Sequence, residues 1–181
     1  MQRRDRVRRS LILCSHCLRN IAFYRVGWRR SESKRRDQFW VTVNGNFLDH
    51  AVLEWCKVFA DRKGRHHWSV VVSNPVQFER DLLKRLQLSA QDFATYIIEM
   101  RAYRDKFIAH LDAEPVMQIP RLRMARRSVA FLYDHLLNQE DDGGFFPERP
   151  FAARRYYLLH INLGRAEYTD WYTCKRPMRM G

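Results

Sequence analysis

The segment FATYIIEMRAYRDKFIAHLD, residues 93–112, carries the strongest structural pattern in the chain. Its apolar residues recur every three or four positions, which predicts one amphipathic helix running to about Leu111. On a wheel of about 100° per residue, Arg104 falls at one margin of the apolar stripe and His110 at the other. Both side chains are therefore expected to face the packed half of the helix. The stripe itself consists of Phe93, Ile97, Met100, Phe107 and Leu111.

A guanidinium on the packed face of a helix needs an anion or several acceptors, because burying it alone costs several kcal/mol. Asp105 is next in sequence, but it points about 100° away on the wheel and is expected to be a poor partner. Two ordinary explanations for Arg104 stay open. Either its aliphatic chain lies along the helix contact so that the guanidinium reaches water, or the guanidinium pairs with a carboxylate of another helix. For His110 the ordinary explanation is a half-buried ring bonded to a carbonyl.

Arg104 and His110 together also have the chemistry required to cut RNA. RNA carries its own nucleophile, the 2′-OH. An imidazole with a pKa near 6.5 takes that proton or donates one to the leaving 5′ oxygen. An arginine neutralises the extra charge on the pentacoordinate phosphorane. This reaction requires no metal.

The motif RDKFIAH, residues 104–110, resembles the arginine, polar residue and spaced histidine that mark the HEPN superfamily. The flanking segments NGNFLDHAVLEWCKVF and KGRHHW, and IPRL after the motif, resemble its abortive-infection U type, and the resemblance covers about residues 19–137. It implies a helical bundle and a metal-independent ribonuclease of a toxin–antitoxin, abortive-infection or other defence system. It also implies that Arg104 and His110 are catalytic and that Asp105 is the supporting polar residue.

Helix geometry favours a site shared between two chains. Six residues separate Arg104 from His110, about 9 Å along the axis, and helical side chains lean toward the N-terminus. Two antiparallel copies of the helix bring Arg104 of one chain toward His110 of the other, so we expect a homodimer, as the resemblance also implies. An antitoxin is a further expected partner. In another HEPN branch a nucleotidyltransferase antitoxin modifies a tyrosine two places after the histidine; Asp112 occupies that place here, which argues against an antitoxin of that kind.

The charge of the chain indicates RNA as a partner. Lys+Arg 33 against Asp+Glu 20 gives a net charge of +13 over 181 residues. This excess favours nucleic acid first and an anionic membrane second. The residues expected to contact RNA are Arg65, His67, Trp68, Arg101 and Lys106. For His67 and Trp68 the alternative explanation is a loop anchored by a buried tryptophan.

Other classes of protein are not indicated by the sequence. The apolar run after the basic N-terminus is too short for a signal peptide, and no window approaches the roughly 18 apolar residues of a membrane helix. We therefore expect a cytoplasmic protein that does not associate with a membrane. No set of cysteines and histidines has the spacing of a zinc site, so neither a metal nor a cofactor is expected. The cysteines are expected to be free buried thiols: Cys14, Cys17, Cys56 and Cys174.

The apolar pattern predicts an all-α protein, an up-and-down bundle of four to five helices with a C-terminal extension. Residues 1–140 are assigned to the bundle and 141–181 to a basic, aromatic extension, whose one helix is expected to end before Gly164. WSVVV, residues 68–72, is predicted to be loop. Pro75 and Ser89 mark two helix starts. The bundle helices are expected at about 5–24, 37–59, 75–88, 89–111 and 121–137.

Three hypotheses about function follow. In the first, the protein is an endoribonuclease that acts as a toxin or antiviral-defence effector. In the second, it is a non-catalytic RNA- or nucleotide-binding bundle in a defence complex, where Arg104 and His110 hold a phosphate without cutting. In the third, it is an interaction module and the pair is structural.

Overall fold

The computed structural model describes residues 2–29, 38–109, 118–140 and 151–174. All regular elements in these ranges are helical and none is a strand, so the prediction of an all-α protein is confirmed. Two α-helices continue into π-helical segments, Arg104–Ala109 and Leu136–Glu140. The α-helices are α1 (Arg3–Arg29), α2 (Gln38–Phe59), α3 (Trp68–Val71), α4 (Pro75–Leu86), α5 (Ala90–Tyr103), α6 (Leu122–His135) and α7 (Ala153–Cys174).

Helix α1 is the central helix of the bundle and contacts α2, α6 and α7. It extends to Arg29, beyond the predicted end near Tyr24, because Val26 and Gly27 are also buried against neighbouring helices. The apolar side chains that recur at helical spacing along this helix are all buried: Leu11, Cys14, Leu18 and Ile21.

An aromatic cluster around Trp55 joins α2, α5 and α6. The indole Nε1 of Trp55 donates to the hydroxyl of Ser128 at 2.9 Å, so its one donor is satisfied inside the core. The indole stacks on Phe59, with ring centroids 5.1 Å apart, and meets Tyr96 edge-on at 5.3 Å. The hydroxyl of Tyr96 accepts from the N–H of Ala125 at 3.1 Å. The same cluster therefore fixes the position of α5, which carries Arg104 at its end.

Three cysteines are buried in the core as free thiols, as predicted: Cys14, Cys17 and Cys56. Burial raises the pKa of all three, in the case of Cys56 to about 12. They are therefore protonated at neutral pH and have little nucleophilic character. The side chain of Cys174 lies outside the described residues.

Glu140 joins the start of α1 to the end of α6. Its buried carboxylate accepts from the N–H and the hydroxyl of Ser73 at 2.7 and 2.6 Å, lies 3.3 Å from Nε2 of His135, and contacts the guanidinium of Arg3. Burial alone would raise the pKa of Glu140, but the hydrogen bonds from Ser73 and His135 and the charge of Arg3 outweigh it and lower the pKa. The carboxylate is therefore ionised at neutral pH.

The two predicted helix starts are confirmed. Pro75 lies in the first turn of α4. The hydroxyl of Ser89 accepts from the N–H of Asp92 at 3.1 Å, and the Asp92 carboxylate accepts from the N–H of Ser89 at 3.3 Å. This reciprocal pair is a capping box in which aspartate replaces the usual glutamate or glutamine.

The prediction that WSVVV is loop is wrong. Residues 68–71 form the single turn of α3, because the side chain of His67 caps its N-terminus by accepting from the N–H of Ser69 at 3.3 Å. One turn held by a cap has no sequence periodicity that would reveal it.

The prediction that the last helix ends before Gly164 is also wrong, since α7 continues through Gly164 to Cys174. A Cβ added at Gly164 would lie 3.1 Å from Cδ1 of Phe23 in α1. The glycine therefore allows two helices to pack closely and does not terminate one.

Helix α7 is the described part of the predicted C-terminal extension, and it packs against α1. Residues 141–150 and 175–181 of that extension lie outside the described residues. None of the helices that the structure describes is long and apolar enough to cross a membrane. The side chains of α7 that belong to the common core are Ala153, Tyr157, Ile161 and Tyr168.

Gly27 and Gly45 give a matched pair of stability predictions. A Cβ at Gly27 would lie 2.3 Å from both Oδ1 of Asn44 and the hydroxyl oxygen of Tyr168, so in Gly27→Ala these side chains, or the helices that carry them, have to shift. We expect it to lower the free energy of unfolding by about 1–3 kcal/mol. Gly45 lies within α2 with nothing within 4 Å of its Cβ position, so Gly45→Ala is expected to raise the free energy of unfolding by about 0.5–1 kcal/mol.

Urea unfolding followed by circular dichroism measures both effects. Shifts of the same sign for the two variants would contradict the close approach of the three helices at Gly27.

Candidate active site

Arg104 lies where α5 changes from α-helical to π-helical hydrogen bonding. Its backbone N–H points to the carbonyls of Met100 and Arg101, and it is the first residue of the π-helical segment Arg104–Ala109. The prediction of one continuous α-helix to about Leu111 is therefore wrong, and a wheel of about 100° per residue does not apply beyond Arg104. Single π-helical turns occur frequently at functional sites.

The Arg104 side chain is held between two carboxylates. Its Nη1 lies 2.6 Å from Oδ1 of Asp61, and its Nε lies 2.8 Å from Oδ1 of Asp105. The sequence left open a pairing with a carboxylate of another helix; the partner found, Asp61, belongs instead to the loop after α2. The prediction that Asp105 is a poor partner is wrong, because a helical wheel places only the Cβ atoms and the guanidinium stands several bonds further out.

The guanidinium of Arg104 is a fixed positive charge. Only 18% of its side chain is exposed, and this desolvation by itself would lower its pKa. The hydrogen bonds to Asp105 and Asp61 outweigh desolvation and raise the pKa instead. Because the group does not lose its proton in a protein, it can stabilise negative charge but cannot act as an acid or base.

Cys56 lies close to Arg104 but does not provide a nucleophile. Its thiol is 3.8 Å from the carbonyl oxygen of Met100. Burial raises its pKa to about 12, although the charge of Arg104 opposes this shift. A thiol that stays protonated at neutral pH fits a core residue, so chemistry at this site has to come from other groups.

The loop after α2 positions Asp61 toward Arg104. The N–H of Asp61 donates to the carbonyl of Cys56 at 2.9 Å, and the N–H of Gly64 donates to the carbonyl of Asp61 at 2.6 Å. A Cβ at Gly64 would lie only 2.8 Å from that carbonyl oxygen, so this turn requires glycine. Both backbone groups of Asp61, its N–H and its carbonyl, are therefore hydrogen-bonded, and this fixes the direction of its carboxylate.

A cleft of about 500 Å³ lies beside this ion pair, and Asp61 forms part of its wall. Three exposed cations, Arg62, Lys63 and Arg101, line it together with an apolar side that includes Ile97. Among the described residues, this region has four cations, counting Arg104, and only two carboxylates, those of Asp61 and Asp105. The region is therefore positively charged, which suits a phosphate-bearing ligand. We call it the Asp61 cleft.

The Asp61 cleft contains one residue predicted to contact RNA, Arg101, and three that were not predicted. Asp61, Arg62 and Lys63 follow directly on the end of α2, in a segment whose glycine marks it only as a loop. The signal that was overlooked is a carboxylate and two cations placed immediately after a helix that ends against α5. Sequence periodicity does not show that these two helix ends meet.

Lys106 and Arg65, also predicted to contact RNA, lie elsewhere. Lys106 lines a second cleft of about 560 Å³ with Tyr103 and Arg121. Arg65 is exposed in the loop between α2 and α3. The structure therefore brings only Arg101, among the predicted RNA-contacting residues, into the cleft beside the Arg104 ion pair.

His67 and Trp68, also predicted to contact RNA, are both buried, which agrees with the alternative explanation of a buried tryptophan anchor. His67 is 3% exposed, with Nε2 3.1 Å from the carbonyl oxygen of Phe59 and Nδ1 2.7 Å from the hydroxyl of Ser69. Burial lowers the pKa of His67. Trp68 is buried against Phe78, with ring centroids 5.2 Å apart, so neither ring offers a face to a base.

His110, the second residue of the pair predicted to be catalytic, and Asp112 lie outside the described residues. Among the described residues, no group of three or more histidine, cysteine, aspartate or glutamate side chains is arranged to hold a metal ion.

No protein-family model matches the sequence, and no curated protein or solved structure matches it significantly.

The Arg104–Asp61 pair is expected to contribute measurably to stability. A double-mutant cycle with Arg104→Ala and Asp61→Ala should give a coupling energy of about 1 kcal/mol, because the pair is short and Arg104 is mostly shielded from water. The pair of Lys57 and Glu54 on α2 has a longer N···O distance of 3.4 Å, and 47% of the Lys57 side chain is exposed; it is the control and should give about 0.3 kcal/mol.

Chemical unfolding of the single and double variants supplies both coupling energies. A coupling energy for Arg104 and Asp61 no larger than that of the control pair would contradict a stabilising role for this ion pair.

Proposed function

We propose that the protein is a metal-independent endoribonuclease of HEPN type that acts as a toxin or antiviral-defence effector. The observation that supports this best is Arg104, a permanent positive charge held at the start of a π-helical segment beside a cationic cleft. The excess of basic residues over the whole chain supports an RNA substrate.

In the proposed reaction, the 2′ oxygen of the RNA attacks the adjacent phosphorus. The O2′–P bond forms, the P–O5′ bond breaks, and the products are a 2′,3′-cyclic phosphate and a 5′-OH. His110 acts as acid/base, taking the proton of the 2′-OH or giving one to the leaving 5′ oxygen. Arg104 stabilises the negative charge of the phosphorane, and Asp105 orients the guanidinium.

The two carboxylates account for how Arg104 is kept ready in the absence of RNA. Asp105 reaches Nε and leaves the end of the guanidinium to Asp61. Asp61 is 38% exposed and lines the Asp61 cleft, so a phosphate entering there competes with it for Nη1. The cations Arg62, Lys63 and Arg101 favour that exchange by attracting the phosphate.

A non-catalytic RNA- or nucleotide-binding bundle in a defence complex is the second candidate. The observation that favours it is the same ion pair, because Asp61 and Asp105 already neutralise the charge of Arg104. In that case Arg104 and the cleft hold a phosphate and no bond is cut.

The ribonuclease hypothesis predicts that the protein cleaves RNA in the presence of EDTA and that cleavage requires both Arg104 and His110. We expect Arg104→Ala to reduce the rate by about 10²–10³-fold and His110→Ala by about 10²–10⁴-fold. Arg80→Ala, which removes one exposed cation from α4, is the matched control and should retain the rate of the wild type. The assay uses end-labelled single-stranded RNA and identifies the 2′,3′-cyclic phosphate by its sensitivity to acid.

Cleavage that persists in His110→Ala, or that appears only with added metal, would contradict the proposal. Binding of RNA without cleavage by the wild type would favour the second candidate. Melting temperatures of the variants separate loss of chemistry from loss of fold.

We also propose that the protein acts as a homodimer in which α5 forms part of the interface. Ile98 on α5 is 65% exposed, and it forms part of the wall of both the Asp61 cleft and the cleft that contains Lys106. An exposed apolar side chain between two clefts suits a contact with a second chain. Such a contact would bring Arg104 of one chain close to the second chain.

Ile98→Arg is expected to convert the dimer to a monomer and to reduce cleavage, because it places a charge in the proposed contact. Val76→Arg is the matched control, since Val76 is 71% exposed on α4, away from α5. Light scattering after size-exclusion chromatography measures the mass of each variant. A wild type that is monomeric, or a dimer unaffected by Ile98→Arg, would exclude this interface.

A further inference from the structure

A pocket of about 440 Å³ lies between α1, α6 and α7, and Arg104 does not line it. Ile21 and Leu122 supply apolar surface in it. Its remaining lining residues are three aromatic side chains and three arginines, namely Tyr24, Trp28, Tyr157, Arg25, Arg123 and Arg126. We call it the α1–α6–α7 pocket. Its volume is within the range of small-molecule sites, about 300–1,000 Å³.

The three arginines give this pocket a positive charge. Among the residues that the structure describes, no carboxylate lines it and none of the three arginines forms an ion pair. This distinguishes Arg25, Arg123 and Arg126 from Arg104, which is held by two carboxylates. Three guanidinium groups around one concavity favour an anion with several oxygens, such as a phosphate.

Two of the arginines are directed by the same buried tyrosine. The guanidinium of Arg126 lies 5.2 Å from the centre of the Tyr157 ring, and Nη1 of Arg25 lies 3.5 Å from the Tyr157 hydroxyl oxygen. Tyr157 is 5% exposed, so its ring is fixed by the core. The two cations are therefore placed around a rigid group, which lowers the entropy lost when an anion binds.

The aromatic side of the pocket suits a nucleobase. Trp28 is 56% exposed and stacks with Tyr24, with ring centroids 6.3 Å apart and an angle of 28° between the planes. Exposed aromatic rings beside basic residues are the usual platform on which nucleic-acid bases stack.

We propose that the α1–α6–α7 pocket binds a nucleotide, with the base against Trp28 and Tyr24 and the phosphate between Arg25, Arg123 and Arg126. A free mononucleotide and one nucleotide of an RNA chain both carry the base and the phosphate that this site would bind. The site does not depend on whether Arg104 takes part in catalysis, because the two sets of residues are separate.

Calorimetric titration with adenosine monophosphate, adenosine and inorganic phosphate tests the proposal on the whole chain. Adenosine monophosphate should bind more tightly than either adenosine or phosphate alone, because only it engages both sides of the pocket. Arg123→Gln/Arg126→Gln and Trp28→Leu should each weaken its binding by about tenfold or more. The matched control Arg80→Gln, on the exposed face of α4, should bind as the wild type does.

Arg123→Gln alone keeps the test valid if the double variant fails to fold, because Arg123 is exposed and Arg126 remains on Tyr157. Equal binding of adenosine and adenosine monophosphate would overturn the proposal. So would unchanged binding in Arg123→Gln. A short 5′-phosphorylated oligoribonucleotide, titrated in parallel, identifies the source: tighter binding than the mononucleotide indicates RNA, and weaker binding indicates a free nucleotide.

Discussion

The pairing of Arg104 with two carboxylates is the interaction on which the organisation of the site depends. A guanidinium with 18% of its side chain exposed is stable at this position only because Asp61 and Asp105 both bind it. This requirement joins the loop after α2 to the junction of α5 and its π-helical continuation. It also explains the tight turn at Gly64, whose N–H fixes the carbonyl of Asp61. The cleft beside the pair is a result of the same arrangement.

The features that were predicted correctly from sequence depend on local pattern. The buried stripe of α1 follows from helical spacing, and the cap at Ser89 follows from residues three positions apart. The errors arise where distant segments meet. In the sequence, Gly164 suggests the end of a helix. In the structure it allows α7 to pack closely against Phe23 of α1, which is far away in the sequence. Asp61 was overlooked as the partner of Arg104 for the same reason, since only the tertiary structure brings the ends of α2 and α5 together.

Basic residues in this chain serve in at least three different settings. Arg104 is paired and shielded, and its charge is available only to a group that displaces a carboxylate. Arg62 and Lys63 are exposed beside it and attract anions without being fixed. Arg126 is fixed by an aromatic ring and has no carboxylate partner among the described residues. A net charge of +13 therefore does not describe one uniform RNA-binding face, and substitutions of single arginines should differ in their effects.

The three buried cysteines have a consequence for the behaviour of the protein under oxidative stress. The Cys17 thiol on α1 lies 3.4 Å from the carbonyl oxygen of Ala51 in α2, and the Cys56 thiol on α2 lies 3.8 Å from that of Met100 in α5. Burial keeps these two thiols and that of Cys14 protonated. Peroxides and alkylating reagents attack thiolates, so these sulfur atoms are resistant as long as the helices remain packed. Unfolding of the bundle would expose all three, and their chemical modification would then oppose refolding.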